Sequence, residues 1–415
     1  MSILIKNIIL DGKGQDIFIK DGLVEKIGHG LDFKAAEKID GRGEKAILPG
    51  LVNCHTHAAM NLFRGYGDDL PLKTWLEKKI WPLEAKLTED DVYWGTKLAI
   101  LEMIKTGTTC FNDMYWYPEA VFAALEEMNL RGVIGPLIID FDKRGSKENF
   151  EKFYRNAIAK TSDLISISVA PHSVYAVSKE NLIWSKNFAA KNKINLHIHL
   201  SETEQEVSDC RKKYGCRPVE YLNKIGFLGK NVVLAHGIWL DDREVRILKE
   251  KECSVVYNPC SNMKLSSGTF PYKKATMEKI NVCMGTDGAT SNNSLDMFEE
   301  MKFASLLQKV EENNPTIAPA AEIFKIATKN GAKALKINAG EVGEGKLADL
   351  ILIDLNKTFF SPGHSFVSDV VYAGSGLAVS DLICNGMVLM HNGKVEGEDE
   401  IIEKTRAIAK NLIKR

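Results

Sequence analysis

Two histidines one residue apart, His55 and His57, follow an apolar run in the segment LPGLVNCHTHAAM at residues 48–60. In an extended strand the side chains at i and i+2 point to the same face, so these two imidazoles would converge at the strand end. Neutral imidazole is a common metal ligand, and two of them make half of a site. The pair predicts a metal site if the chain supplies further ligands; otherwise it is a chance pair in a surface loop.

Other polar residues also stand at the ends of apolar runs. His172, His199, His236 and Asp287 end the runs SVAPH, INLHIH, NVVLAH and INVCMGTD. If these runs are parallel strands of one barrel, their ends meet, and three imidazoles with one carboxylate suit Zn²⁺ or Fe²⁺ with a position left open for water. We therefore predict one divalent metal ion, zinc as the first choice and iron as the alternative. The predicted ligands are His55, His57, His199 and Asp287.

His197 shares a strand face with His199 but lies farther from the strand end. We interpret it as a packed histidine behind the site. The fourth run, LISISVA at residues 164–170, contains no Lys, Asp, Glu or Cys that could bridge a second ion. The sequence therefore predicts a mononuclear site.

Glu202 follows His199 by three residues, in HLSETEQE, and would be within reach of a water on the ion. A carboxyl group there can move a proton between water and substrate. The alternative is an exposed glutamate in a first helical turn that favours the helix dipole, and Glu204 and Glu206 are interpreted in that way. His236 is predicted to stabilise the nucleophile and the tetrahedral adduct, with a buried core histidine as the alternative.

These side chains need a frame that brings strand ends together. Eight short β-like runs, at 48–54, 108–114, 131–139, 164–170, 194–200, 231–237, 253–259 and 280–288, are followed or separated by amphipathic helical stretches. The longer helices are expected at 88–105, 118–129, 147–160, 178–192, 203–213, 241–250 and 294–310. This alternation predicts an α/β fold with a TIM-type (β/α)₈ barrel over residues 49–340.

The two flanks of the chain have a different hydrophobic pattern from the predicted barrel. Short alternating segments separated by Asp-Gly and Gly pairs occur at 1–48 and again at 341–398. They predict one small β-sandwich domain built from both termini, because neither flank alone can bury a core. Residues 399–415 predict a terminal amphipathic helix.

The composition excludes several classes of protein. The chain has 415 residues, 45% hydrophobic and 26% charged, with a net charge of −1. It therefore offers no broad positive field for nucleic acid or an anionic membrane, and no run approaches the roughly 20 apolar residues of a membrane span. The N-terminus lacks signal-peptide features, and the eight cysteines include no C-x-x-C pair. We predict a cytoplasmic protein with a small-molecule ligand; a homo-oligomer is left open.

Several motifs together resemble a known family. The chain resembles the mononuclear aminohydrolase branch of the amidohydrolase superfamily in the motifs PGLVNCHTH, HLSET, LAHGIWL, NPCSNMKLSSG and GTDGATSNNSLDMFEEM. The segment GEGKLADLILIDL is similar to the one with which that family passes from the barrel back into the small sandwich. More narrowly, the chain resembles the 5'-methylthioadenosine/S-adenosylhomocysteine deaminase group, which includes 5'-deoxyadenosine deaminases. The resemblance implies metal-dependent hydrolytic deamination at C6 of an adenine nucleoside, with release of ammonia.

The resemblance also implies individual roles. The predicted ligands would bind the metal, Asp287 would also accept the proton of water, Glu202 would deliver a proton to the purine ring, and His236 would assist. Glu84, in WPLEAKLTEDD, would hold ribose hydroxyls, and His172, in APHSVY, would lie against the nucleoside. Trp75, in PLKTWLE, would wall the 5' end. From the residues alone, Trp75 could equally be a core residue and Glu84 a surface residue at a helix start.

One segment departs from the family pattern. Members that use S-adenosylhomocysteine are expected to offer arginine to its carboxylate from the segment after strand three, but VIGPLIID has none, and Arg144 lies further on, in FDKRGSKEN. We therefore predict a substrate with a small or apolar 5' group, such as 5'-deoxyadenosine or 5'-methylthioadenosine. The alternatives are an aminohydrolase or chlorohydrolase of the same branch acting on a guanine or triazine ring, and a non-catalytic barrel scaffold.

Overall fold

An eight-stranded parallel barrel and a separate mixed sheet make up the computed structural model, which describes residues 2–415 apart from the side chains at 72 and 73. The predicted fold class is confirmed. The barrel strands follow one another in chain order around the sheet. They are β6 (Leu51–Thr56), β7 (Thr108–Tyr115), β8 (Arg131–Ile138), β9 (Ile165–Pro171), β10 (Asn195–Leu200), β11 (Val232–His236), β12 (Ser254–Tyr257) and β13 (Asn281–Met284).

The barrel strands are buried on both faces, which explains their continuous apolar texture. In β11 and β12, VVLAH and SVVY, every residue is buried. Branched side chains pack in the barrel interior and against the surrounding helices. The last residues of these strands are therefore the first positions where polar groups can face an open cavity.

The barrel closes where β13 meets β6. Asn53 Nδ2 donates to Thr286 Oγ1 at 2.7 Å, and Thr286 N donates to Asn53 Oδ1 at 3.1 Å. One step further on, Asp287 N donates to the carbonyl of His55 at 3.0 Å. The closure thus joins two of the predicted site residues directly.

The long predicted helices form within a few residues of the expected bounds. Side-chain caps start several of them: Thr88 and Asp91 form a capping box at α3, and Thr203 accepts the N–H of Glu206 at α7. The helices up to β11 are α1 (Leu72–Trp75), α2 (Trp81–Glu84), α3 (Glu89–Lys105), α4 (Pro118–Met128), α5 (Lys147–Ala157), α6 (Lys179–Asn192), α7 (Glu204–Tyr214) and α8 (Pro218–Lys224). A π-helical turn, Leu76–Ile80, joins α1 to α2.

The remaining helices surround the last strands and end the chain. They are α9 (Asp242–Glu250), α10 (Pro259–Lys264), α11 (Tyr272–Met277), α12 (Met297–Glu311), α13 (Ala320–Ala327), α14 (Lys329–Leu335), α15 (Phe366–Tyr372) and α16 (Glu398–Leu412). Short 3₁₀ turns occur at Ala58–Phe63, Lys143–Gly145, Ile158–Lys160, Thr358–Phe360 and Gly376–Ala378. None of the helices within residues 2–415 is long and apolar enough to cross a membrane.

The mixed sheet draws on both ends of the chain, as predicted. Its strands are β1 (Ser2–Leu10), β2 (Lys13–Lys20), β3 (Leu23–Gly28), β4 (Glu37–Asp40), β5 (Lys45–Pro49), β14 (Leu350–Asp354), β15 (Val379–Cys384) and β16 (Met387–Met390). Antiparallel pairing of β5 with β14 joins the two flanks over five residue pairs. The predicted boundaries at 48/49, 340/341 and 398/399 stay predictions of domain limits.

A buried ion pair joins the barrel to this sheet. Arg131, at the start of β8, donates from Nε to Asp349 Oδ2 at 2.6 Å and from Nη2 to Asp349 Oδ1 at 3.0 Å. The two side chains are only 2% and 1% exposed. Such a bidentate pair is balanced as long as both charges are present, but either one alone would be an uncompensated buried charge.

We expect Asp349→Asn to lower the free energy of unfolding by about 3–5 kcal/mol, because the Arg131 guanidinium would stay buried without its counter-charge. The change is measured by urea denaturation followed by circular dichroism. Glu180→Gln is the control, since Glu180 pairs with Lys147 at 3.5 Å on the surface and its side chain is 82% exposed. Equal small effects of the two substitutions would contradict the prediction.

Candidate active site

A cavity of about 380 Å³ opens at the carboxyl ends of the barrel strands. Its inner end is lined by histidines and carboxylates, and its outer part by aromatic and aliphatic side chains. All predicted catalytic and substrate-binding residues line it. They are Trp75, Glu84, His172, Glu202, His236 and Asp287.

Four of the predicted residues aim their ligand atoms at one region. His57 Nε2 lies 3.3 Å from His199 Nε2 and 3.3 Å from Asp287 Oδ1, and His55 Nε2 lies 3.4 Å from the same carboxylate oxygen. His236 also belongs to a group of potential ligand atoms with His55 and Asp287. The structure therefore brings together the four residues that the sequence predicted as metal ligands.

Hydrogen bonds behind the rings orient them. The Nδ1 of His57 lies 2.7 Å from the carbonyl of Met114, and the Nδ1 of His199 lies 2.8 Å from the carbonyl of His172. A carbonyl can only accept, so both rings carry their proton on Nδ1 and turn the Nε2 lone pair toward the shared region. Carbonyl partners of this kind are typical of histidines that bind metals.

His55 is held by the histidine that we interpreted as packed behind the site. Its Nδ1 lies 2.9 Å from His197 Nε2, and His197 Nδ1 in turn lies 3.1 Å from the side-chain amide of Asn112. The Nε2 of His55 is buried and has no hydrogen-bond partner within residues 2–415. A buried polar atom without a partner, facing a carboxylate and two further imidazole nitrogens, fits a divalent cation at this point.

The protonation states also fit a cation site. Burial lowers the pKa of His55 to about 4 and that of His172 to about 3, and it lowers the pKa of His199 well below its usual value. Burial would raise the pKa of Asp287, but the His55 imidazole, with Nε2 3.4 Å from Oδ1, outweighs it and holds that pKa well below its ordinary range. Near pH 7 the imidazoles of His55 and His199 are therefore neutral and the Asp287 carboxylate is ionised.

Asp287 is fixed by several donors. Its Oδ2 accepts from Ser261 Oγ at 2.6 Å and from Ser291 Oγ at 2.9 Å, and its Oδ1 accepts from Gly288 N at 2.8 Å. Its backbone has a φ of +61°, which is uncommon for a residue with a side chain. Neither serine was predicted as a site residue; Ser261 lies in NPCSNMKLSSG, a motif that carried only the family resemblance.

Glu202 and His236 form a second pair in the inner cavity. His236 Nε2 lies 3.9 Å from Glu202 Oε2, and its Nδ1 lies 3.0 Å from Asn262 Oδ1. Burial raises the pKa of Glu202. Burial would lower the pKa of His236, but the charges of Glu202 and Asp287 outweigh it and raise that pKa. A carboxyl group of raised pKa next to the ligand atoms can carry a proton that it later releases.

The interpretation of Glu206 as an exposed glutamate of the helix start is wrong. Its side chain turns back from the first turn of α7 and is buried. The two carboxylate oxygens accept from the backbone N–H groups of Ser201 and Glu202, both at 2.9 Å. Glu206 thus holds the backbone of Glu202, whereas Glu204 is exposed as expected.

Of the two outer residues, Trp75 matches its structural alternative, because it packs in the hydrophobic core as well as lining the cavity, whereas Glu84 does not match its own. Trp75 and Glu84 are 5% and 7% exposed, and both face the cavity, so Glu84 is not a surface residue. Arg144 reaches the cavity as well, where it pairs with Asp142. Trp81 and Phe141, which the sequence analysis did not single out, stand at the mouth with ring centroids 6.0 Å apart.

If these residues form a metal site, the purified chain should hold about one divalent ion per chain, and His199→Ala should lose most of it on dialysis because one of four ligands is removed. Metal analysis of the dialysed proteins measures the occupancy. Glu204→Gln, exposed on α7, should keep the occupancy of the unmodified chain. Equal occupancy in His199→Ala and the unmodified chain would contradict the assignment.

Comparisons with known proteins agree with this geometry. Residues 46–389 match the amidohydrolase family. A 5'-deoxyadenosine deaminase of Methanosphaera stadtmanae is 45% identical, and a 5-methylthioadenosine/S-adenosylhomocysteine deaminase 1 of Archaeoglobus fulgidus is 44% identical; each alignment covers 99% of both chains. The crystal structure of an adenosine deaminase from Xanthomonas campestris with bound zinc superposes with a TM-score of 0.95 at 31% identity, covering 100% of this chain and 98% of that one. The chain belongs to the amidohydrolase family.

Proposed function

We propose that this protein is a hydrolytic deaminase of adenine nucleosides, replacing the 6-amino group by an oxo group and releasing ammonia. The observation that carries the proposal is the meeting of three imidazole Nε2 atoms, the Asp287 carboxylate and the Glu202 carboxyl in one buried cavity. The 44–45% identical relatives that are named deaminases of 5'-deoxyadenosine and of methylthioadenosine and adenosylhomocysteine support the substrate class.

The site takes a divalent metal ion, and we assign zinc rather than iron. His55, His57, His199 and Asp287 would hold it, and the zinc named for the adenosine deaminase structure supports the choice. When bound, such an ion lowers the pKa of a water molecule and makes hydroxide available near neutral pH.

Two side chains transfer protons, and a third stabilises the developing charge. Asp287 accepts the proton that the attacking water loses at C6, since its carboxylate is ionised. Glu202, whose pKa burial raises, delivers a proton to the ring nitrogen next to C6, so that the tetrahedral adduct forms without a full negative charge on the ring. His236, 3.9 Å from Glu202, stabilises the oxygen that develops charge. Asp287 then passes its proton to the amino group, which leaves as ammonia, while the C6 hydroxyl gives its proton to Glu202 and becomes the oxo group.

The residues in the outer part of the cavity would bind the nucleoside. C6 and N9 lie at opposite ends of a purine, so a base with C6 at the histidines directs its ribose toward Glu84. That buried carboxylate can accept hydrogen bonds from ribose hydroxyls. His172 would contact the base, and Trp75 would wall the 5' substituent.

A substrate panel tests the proposal. The metal-loaded protein should release ammonia from adenosine, 5'-deoxyadenosine and 5'-methylthioadenosine. The kcat/KM should be higher for 5'-deoxyadenosine and 5'-methylthioadenosine, whose 5' groups are less polar than the hydroxyl of adenosine. Guanine and a chlorotriazine should be inert. Turnover confined to guanine or the triazine would support the alternative members of the branch, and no turnover with any of these would contradict the proposal.

Glu202→Gln should lower kcat by about 10²–10⁴-fold while the metal occupancy stays unchanged, because the amide cannot deliver the proton. Steady-state rates and metal analysis of the same sample measure the two quantities. Glu204→Gln, two positions further along the chain but exposed, is the control. Full activity of Glu202→Gln would remove this residue from the mechanism.

Glu206→Gln should lower kcat by about tenfold with little change in KM, since one of the two backbone N–H groups of residues 201 and 202 would lose its acceptor and Glu202 would be held less firmly. Steady-state kinetics measures the two constants separately. Glu204→Gln should again match the unmodified chain. A raised KM at unchanged kcat would contradict a role of Glu206 in holding Glu202.

A further inference from the structure

The outer part of the cavity contains a guanidinium that is already neutralised within the chain. Arg144 is the only arginine or lysine among the described residues that line the cavity. Its Nη2 donates to Asp142 Oδ2 at 2.7 Å, and its Nε lies 3.1 and 3.2 Å from the two oxygens of that carboxylate. Its Nη1 donates to the carbonyl of Glu84 at 3.0 Å. All three nitrogens of the guanidinium are therefore engaged.

The pair is held in place by its surroundings. Asp142 caps the short turn Lys143–Gly145 by accepting the backbone N–H of Arg144 at 2.9 Å. The guanidinium also lies over the ring of Trp116, 4.3 Å from its centroid. A ligand carboxylate that takes the Nε and Nη2 edge of Arg144 must therefore displace Asp142 from a charge-assisted pair that is already formed and oriented.

The pair lies in a more exposed part of the cavity than the predicted metal ligands. Its two side chains are 29% and 28% exposed, whereas His55 and Asp287 are at 0% and 8%. Phe141, next to Asp142 in the chain, stands at the mouth. A nucleoside with C6 at the inner end directs its 5' substituent toward this outer end, past the carboxylate of Glu84.

Resting on the proposed function, we infer that Asp142 is a specificity-determining residue. It supplies from within the chain the carboxylate that Arg144 would otherwise take from a substrate. The cavity therefore selects adenine nucleosides with an uncharged 5' substituent and discriminates against those that carry a carboxylate. The aromatic and aliphatic walls formed by Leu76, Trp81 and Phe141 suit such a substituent.

The test compares 5'-methylthioadenosine with S-adenosylhomocysteine, which share the thioether and differ in the amino-acid end. The unmodified enzyme should show a kcat/KM at least about tenfold higher for 5'-methylthioadenosine, the factor that corresponds to about 1.4 kcal/mol. Asp142→Asn keeps an oxygen to cap the turn but frees Arg144, so it should narrow that ratio by about tenfold.

Two further variants isolate the cause. Asp140→Asn removes the same charge two positions away, from an exposed aspartate that accepts from Ser178 and Asn181, and it should leave the ratio within about twofold. In the double variant Asp142→Asn/Arg144→Met the kcat/KM ratio of 5'-methylthioadenosine to S-adenosylhomocysteine should return to that of the unmodified enzyme, because the freed cation is gone. An unchanged ratio in folded Asp142→Asn, or an equal gain in Asp140→Asn, would overturn the inference.

S-adenosylhomocysteine also carries an ammonium group, which Asp142 could bind. If the unmodified enzyme prefers S-adenosylhomocysteine and Asp142→Asn loses that preference, Asp142 is an ammonium ligand and the inference is overturned. A second comparison uses only the unmodified enzyme, so it does not depend on a variant that folds. It sets the analogue of S-adenosylhomocysteine that lacks the α-amino group against the carboxamide of that analogue. The carboxamide should have about a tenfold higher kcat/KM, and equal values would also overturn the inference.

These results are separable from the proposed function. If the metal-loaded enzyme deaminates no adenine nucleoside at all, the proposed function fails and the inference about Asp142 fails with it. If 5'-methylthioadenosine is deaminated but the ratios do not respond to Asp142→Asn, only the inference about Asp142 fails.

Discussion

The hydrogen bond from Asp287 N to the carbonyl of His55 is the contact on which the site depends. It joins the segment just after the last barrel strand to the end of the first strand, beside the Asn53–Thr286 pair, whose members are 233 positions apart in the chain. Barrel closure at this point brings the Asp287 carboxylate to 3.4 Å from His55 Nε2 and 3.3 Å from His57 Nε2. An open sheet with the same strands would keep the same residues at its two opposite edges.

The strand ends at the cavity turn sharply, and the backbone is held there in an unfavourable conformation. Ser201, His236 and Asp287 follow or end barrel strands with φ values of +48°, +73° and +61°. Left-handed conformations cost of order 1–3 kcal/mol for residues with side chains and persist where the surroundings fix them. Here the carbonyl of Ser201 accepts from Ile238 and Trp239, and Glu206 accepts from the N–H of Ser201. These bonds fix the backbone where the chain leaves β10 and β11.

The cavity changes in character along its length. At the inner end, buried imidazoles and carboxylates lie within about 4 Å of one another, where charge interactions are stronger than in water. At the outer end, aromatic rings surround a single ion pair, Asp142–Arg144. In the proposed function the inner end would hold a cation and move protons, and the outer end would determine which 5' substituent the nucleoside can carry. Because Asp142 is two residues from Arg144, the ion pair at the outer end depends on one short turn, which lies outside the barrel strands.

Much of the frame could be predicted because it follows from local patterns. The runs at 194–200 and 131–139 became β10 and β8, and the stretch at 178–192 became α6, since hydrophobic periodicity and caps act within a few residues. The short helices α8 and α10 were not predicted, because they are too short for a periodic pattern to show. This matters at the site, since α10 supplies Ser261 to Asp287 and Asn262 to His236.

By itself the sequence determined which side chains would stand at strand ends, and the barrel architecture implied by the strand–helix alternation then required His55, His57, His199 and Asp287 to meet. Only the tertiary structure decided that Glu206 folds back onto the backbone of Glu202, that His197 lies behind His55, and that Asp142 occupies Arg144. The physical reason is that strand-end positions follow from a repeating local pattern. A side chain's partner depends instead on how separate loops pack, and spacing along the chain does not encode that packing.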